Sequence, residues 1–189
     1  MTRPDRKAAA KAIEDFLRAI GREPERERDL VGTGPRVADA FIDELCDGYA
    51  VDVPALLSAN VISGATELVV VRDIALTTMC PHHLLPASGR AAVAFQPGER
   101  LLGLGTVVKL VDAFAHRLTL QETLGEQVVG ALMEHLEPRW AGCRLVMEHA
   151  CMVARGERRH GARVESVALG GDLNDVTRAA AHRALGVGT

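Results

Sequence analysis

The chain has 189 residues, enough for one domain of ordinary size or one domain with a small appendage. Apolar residues make up 48% and charged residues 25%, the balance of a soluble globular protein, and the formal net charge is −3. That charge gives no electrostatic reason to expect nucleic acid or an anionic membrane as partner, and any anionic ligand has to be held by local cations against it.

The N-terminal MTRPDRKAAAKAIEDF is charged and amphipathic and lacks the apolar centre of a secretory signal. No uninterrupted apolar run is long enough to span a bilayer. Four cysteines, Cys46, Cys80, Cys143 and Cys151, are too sparse for a disulfide scaffold, so a reduced, cytoplasmic setting is expected, with thiols available as ligands.

Residues 5–20 place Ile13, Phe16, Leu17 and Ile20 at helical spacing, with Gly21 as the stop. GREPERERDLVGTG is a charged connector, and a second helix is expected over about 34–47, carrying Val37, Phe41, Ile42 and Leu45. ELVVVRDIALTTM, 67–79, and RAAVAF, 90–95, read as strands, the second ended by Pro97-Gly98. TVVKLVDAFAHR reads as a helix with Val107, Leu110, Val111 and Phe114 on one face. Thr119-Leu-Gln-Glu122 is expected to open the next helix as a T-x-x-E capping box, followed by the stripe Leu120, Leu124, Val128, Leu132 and Leu136. CRLVMEHACMVA, 143–154, and RVESVAL, 163–169, are the third and fourth strands, and an Ala-rich tail is a last short helix. Two helices followed by β-β-α-α-β-β predict an α+β fold, an antiparallel sheet with helices on one face. The expected division is a helical extension over 1–62 and the sheet-bearing domain over 63–189.

Chemistry concentrates in TTMCPHHLL, residues 77–85. Cys80 and His83 have a chelating spacing on a turn, and Pro81 keeps Cys80 out of the α region. A catalytic zinc takes three protein ligands, two cysteines and one histidine being an established set, so one more ligand is needed. Strand alternation in CRLVMEHACM would put Cys143, Leu145, Met147, His149 and Cys151 on one face, with His149 and Cys151 about 7 Å apart. One of them can then bind metal while the other serves as acid or base. A buried free cysteine is also a common small hydrophobe, and spacing alone does not decide between the two.

Several segments, in order from about residue 20 to 171, resemble the GTP cyclohydrolase I family. TMCPHHLLP resembles its C-E-H-H segment, EHACMVARG its H-x-C-x-x-x-R-G segment, and GLGTVVKLVDAFAHRLTLQETL its G-L-S-K-x-x-R…Q-E stretch. GREPERERDLVGTGPRVADAF is similar to the family's N-terminal G-E-D-P-x-R-E-G-L-x-x-T-P-x-R-V-A region. The resemblance implies the tunnelling fold, homodecamers of two pentamers with sites between subunits, and zinc held by Cys80, His83 and Cys151. It implies His82 and His149 as acid-base histidines, Gln121 and Glu122 on the guanine edge, and Arg155, Arg36 and Lys109 on the phosphates. The implied reaction is hydrolytic opening of the purine at C8 with release of formate, and ribose rearrangement to dihydroneopterin triphosphate.

The phosphate side departs from that pattern. The family's Ser-Lys pair is here Gly105-Thr106, its following arginine is Lys109, the lysine of R-V-A-K is Asp39, and the lysine before Arg155 is Val153. Lost cations weaken triphosphate binding by an amount on the order of several kcal/mol unless others, such as Arg158, Arg159 or Arg163, replace them. Three readings follow. One is a GTP cyclohydrolase I with a rebuilt phosphate pocket; another is a relative that opens a less phosphorylated purine and stops there. The last is a non-catalytic binding or regulatory subunit, against which the intact Cys80, His82, His83, His149 and Cys151 argue.

Overall fold

The computed structural model describes residues 3–64 and 67–188, and the chain divides into two compact units, Met1–Asp47 and Gly48–Thr189. The first unit is helical. Helix α1 (Arg6–Ala19) starts at Asp5, whose carboxylate accepts from the Ala8 amide at 3.0 Å and so satisfies one of the free N-terminal donors. Helix α2 (Thr33–Ala40) continues as a π-type turn, Phe41–Leu45. The α1 and α2 backbones approach closely at Gly34, where a Cβ would lie 2.5 Å from the Ala10 carbonyl oxygen. Arg6 ties the two together by donating to Asp39 and, in a two-point pair at 2.7 Å each, to Asp43. The Arg6 hydrogen bonds hold the Asp43 carboxyl below its ordinary range.

The second unit is built on one four-stranded antiparallel sheet in the order β2-β3-β5-β6, from β2 (Val69–Met79), β3 (Pro86–Gln96), β5 (Trp140–His149) and β6 (Val164–Gly171). A short pair, β1 (Val61–Ser63) with β4 (Arg100–Leu102), stands beside it, and α3 (Val53–Ser58) precedes β1. Helices α4 (Leu104–Ala115) and α5 (Gln121–Leu136) cover one face. There Val93, Phe95, Leu145 and Met147 meet Leu110, Val111, Leu124, Val128 and Leu132 in one apolar cluster. Fully burying one such side chain stabilises the fold by about 1.5–3 kcal/mol.

The other sheet face is also covered in part. Ala92, Ala94 and Trp140 pack with Ala181, Ala184 and Leu185 of α7 (Asp175–Leu185), the helix formed by the Ala-rich tail. Covering both faces explains why Ala91–Phe95, 91–95, are buried without the alternation of a one-sided strand. The β-β-α-α-β-β order and the antiparallel sheet expected for an α+β protein of this kind are thus observed.

Two local expectations need correction. The strand read over 143–154 ends at His149, and Cys151 sits instead on a single helical turn, α6 (Ala150–Val153). The capping box at Thr119 does not form: α5 begins after Leu120, and no side chain caps it. The Thr119 amide is drawn to the Met79 carbonyl at 3.2 Å, which fixes Thr119 against the end of β2 rather than at the helix start. Its hydroxyl donates to the Leu120 carbonyl. Leu120 is therefore exposed, while the rest of the stripe, Leu124 to Leu136, is buried.

Candidate metal centre and active site

The turn between β2 and β3 is clamped by its own backbone. The Cys80 amide donates to the Leu85 carbonyl at 3.0 Å, and the Leu84 amide donates to the Cys80 carbonyl at 2.9 Å. Closing so tight a loop puts Leu84 at φ 51°, a left-handed conformation that a leucine seldom adopts. In exchange, the chain doubles back and the Cys80 Sγ comes to 3.6 Å from His83 Nδ1.

Sheet register brings the second sulfur. Met79 pairs with Pro86 across the hairpin and Ala87 pairs with His149, so the end of β5 lies beside the strand that leaves the turn. The chain then bends into α6, and Cys151 is delivered by that bend rather than by strand alternation. The ligand atoms of Cys80, His83 and Cys151 all lie within 4.8 Å of one another. A tetrahedral zinc with bonds of about 2.3 Å to sulfur and about 2.0–2.1 Å to nitrogen spans ligand–ligand edges of about 3.5–3.8 Å. The 3.6 Å separation of Cys80 and His83 already has that length. Two thiols and one imidazole, with Cys80 buried, Cys151 half-buried and His83 exposed, fit a soft or borderline divalent ion approached from one open side.

The other expected residues sort into distinct groups. His82 is exposed and lies edge-on to His83, with ring centroids 6.2 Å apart. His149 is half-buried at the end of β5 and its Nε2 lies 2.8 Å from Gln121 Oε1. Gln121 is only 2% exposed. The segment leading to it is anchored by the Thr78 hydroxyl on the Arg117 carbonyl and by Arg117 stacked on Phe114 and Tyr49. Glu122, beside it, is exposed in the first turn of α5 and takes no part in capping. Lys109 on α4 and Arg155 after α6 are exposed cations.

Arg36 and Asp39 belong to the first unit, on α2. Arg36 donates to the Thr33 hydroxyl, and the Asp39 carboxylate is engaged by Arg6. Cys143 is no candidate ligand: burial among apolar side chains pushes its thiol up to about 12. The contact that sequence reasoning did not find is the one between Gln121 and His149, 28 positions apart with no local pattern to signal it.

Residues 9–185 match the family model described as GTP cyclohydrolase I. The chain belongs to the GTP cyclohydrolase I family. It is 38% identical over 174 residues to GTP cyclohydrolase 1 of Allorhizobium ampelinum, a match covering 91% of this chain and 86% of that one. It is 38% identical over 158 residues to GTP cyclohydrolase 1 of Leptospira biflexa, covering 83% and 85% respectively. Among solved structures, the archaeosine synthase QueF-Like in its apo form overlays with a TM-score of 0.49 at 20% identity, over 59% of this chain and 100% of that one.

Within this GTP cyclohydrolase I family chain, the departures at the start of α4 have a clear setting. A Cβ built on Gly105 meets nothing within 4 Å, so the position of the family serine is open space. Thr106, in place of the family lysine, is buried, 6% exposed, and its amide donates to the Gly103 carbonyl at 2.8 Å. The cation is thus replaced by a side chain that belongs to the core edge.

Proposed function

We propose that this chain is a zinc-dependent hydrolase of the GTP cyclohydrolase I type. It opens the guanine imidazole ring at C8 with release of formate and takes GTP on to 7,8-dihydroneopterin triphosphate. The observation that carries this reading is the convergence of Cys80, His83 and Cys151, from a hairpin turn and the helical turn after β5, to within 4.8 Å of one another beside two further histidines.

Cys80, His83 and Cys151 would hold the zinc, which supplies Lewis acidity that makes water a competent nucleophile near neutral pH. His82 and His149 handle the protons: an imidazolium N–H delivers one to the departing ring nitrogen as the C8–N bond breaks. Glu122, uncommitted to the helix cap, accepts hydrogen bonds from the guanine N1–H and exocyclic amine, a charged acceptor that an adenine edge cannot satisfy. Lys109, Arg155 and Arg36 are assigned to the phosphates. The pairing of Asp39 with Arg6 supports this, since a cation of α1 offsets the charge reversal on α2. The position of β2 and β6 as the outer strands is consistent with sheets that close around a ring of subunits, the homodecamer of two pentamers with sites between protomers. A cytoplasmic setting fits the free state of all four cysteines.

A second reading is favoured by Gly105 and the buried Thr106: a cyclohydrolase acting on a less phosphorylated purine and stopping after ring opening. One assay separates the two. Zinc-loaded protein is given GTP, GMP, guanosine and guanine, and formate release and pterin fluorescence are followed. Formate with fluorescence from GTP supports the first reading, formate without fluorescence the second, and no formate from any of them rejects both.

A further inference from the structure

The Gln121 side chain is surrounded by groups whose chemistry leaves it one orientation. Its amide nitrogen lies 3.1 Å from the Leu145 carbonyl oxygen, 3.1 Å from the Val164 carbonyl oxygen and 3.0 Å from the Ser166 hydroxyl. Carbonyl oxygens only accept, so the edge facing them must be the NH₂ group. The amide oxygen therefore faces His149, 2.8 Å from its Nε2. An amide oxygen also only accepts, so Nε2 must carry a proton to make that bond. A neutral imidazole has one N–H, which leaves Nδ1 with the lone pair.

The same inventory bears on what Gln121 can do elsewhere. Its two N–H groups are shared among three acceptors, its oxygen is occupied by His149, and it is 2% exposed. Both donors are committed, and the second lone pair of the oxygen lies on a side chain too buried to face a purine. We propose that Gln121 is a positioning residue, fixing the ring of His149 in its Nε2–H tautomer and turning Nδ1 toward the reacting groups. Glu122, its exposed neighbour, is left as the base-recognition residue of this pair. The anchors are spread over three elements, β5 through Leu145, β6 through Val164 and Ser166, and α5 through Gln121 itself. The ring is thereby tied to the sheet rather than to a surface loop. Groups that orient a metal-ligating histidine from behind matter by about 10–100-fold, and an effect of the same order is expected for an acid-base histidine held in this way. This inference deepens the hydrolase reading and rests on it for its consequence in turnover, although the tautomer itself does not.

The test uses the full-length, metal-replete protein labelled with ¹⁵N-histidine, with the His149 signals assigned by their loss in His149→Gln. Long-range proton–nitrogen correlation should show the Nε2 of His149 as the protonated, pyrrole-type nitrogen and Nδ1 as the pyridine-type one. Ser166→Ala, which leaves both carbonyls in place, should keep that signature, whereas Gln121→Leu should lose it. In formate-release kinetics, Gln121→Leu should lower kcat by about 10–100-fold with KM for the purine little changed. A proton on Nδ1 in the unsubstituted protein would overturn the proposal, and this arm needs no variant to fold. So would a raised KM with kcat intact in Gln121→Leu, the behaviour of a purine ligand. Absence of formate from the unsubstituted protein would instead reject the hydrolase reading and leave the tautomer measurement standing.

Discussion

In the turn after β2, Cys80 is buried, its backbone is clamped on both sides, and its sulfur lies 3.6 Å from His83. In the first turn of α4, Gly105 faces open space and Leu104 is 64% exposed. Both segments follow strands of the same unit, and both correspond to motifs of the family. The end proposed for ring opening is built from side chains that specify one another: Cys80 with His83, His149 with Gln121, and Gln121 with two carbonyls. The end proposed for the phosphates carries the exposed cations Lys109 and Arg155. Residues locked by partners tolerate little change, whereas an open charged surface can lose a cation and gain another elsewhere. Two of the departures of this chain, Gly105 and Lys109, lie at exposed positions of α4.

Substitutions at the locked end should have the largest effects. Cys80→Ser or Cys151→Ser should abolish zinc retention, measured by metal analysis after dialysis, and lower formate release by at least about 10³-fold, about 4 kcal/mol in the barrier. Cys143→Ser is the contrast. Its thiol, pushed up to about 12, stays protonated at neutral pH, so zinc should be kept, with a loss of about 1–3 kcal/mol in unfolding free energy from the buried hydroxyl. Equal zinc loss in all three would erase the distinction between ligand and core cysteine.

How much of this was legible beforehand varies with how local the signal is. The Cys80–His83 spacing and the period of α5 are short-range and were readable. Cys151 was expected on a strand because Ala150–Val153 is a four-residue apolar run, too short for periodicity to separate strand from helical turn. The capping box failed because a tertiary contact, the Thr119 amide on the Met79 carbonyl, outbid a local motif. The α7 helix was expected, but its covering of the second sheet face depends on packing with Ala92, Ala94 and Trp140 that no local pattern encodes.

Intermediate effects sharpen the comparison. His149→Ala should leave zinc bound while lowering formate release by about 10²–10⁴-fold, and unchanged turnover would remove His149 from proton transfer. Glu122→Gln should reduce the preference for guanine over other purines by about 10–100-fold, the worth of a charged hydrogen bond of about 1.5–3 kcal/mol. Since Glu122 does not cap α5, thermal unfolding of this variant should be unchanged; a lowered midpoint with unaltered base choice would assign it a structural role instead.

The smallest effect is expected at the open end. Gly105→Ser fills unoccupied space on a helix, so it should stabilise by about 0.5 kcal/mol in chemical denaturation. Any accompanying rise in GTP turnover would favour the GTP reading over the less phosphorylated substrate.

The zinc environment itself is the most direct measurement. Zinc-edge X-ray absorption on the loaded, full-length protein should fit two sulfur neighbours at about 2.3 Å and nitrogen or oxygen neighbours at about 2.0–2.1 Å, with both sulfurs kept in Cys143→Ser. A shell without sulfur, or one that loses a sulfur in Cys143→Ser, would contradict the assignment of Cys80, His83 and Cys151 to a shared ion.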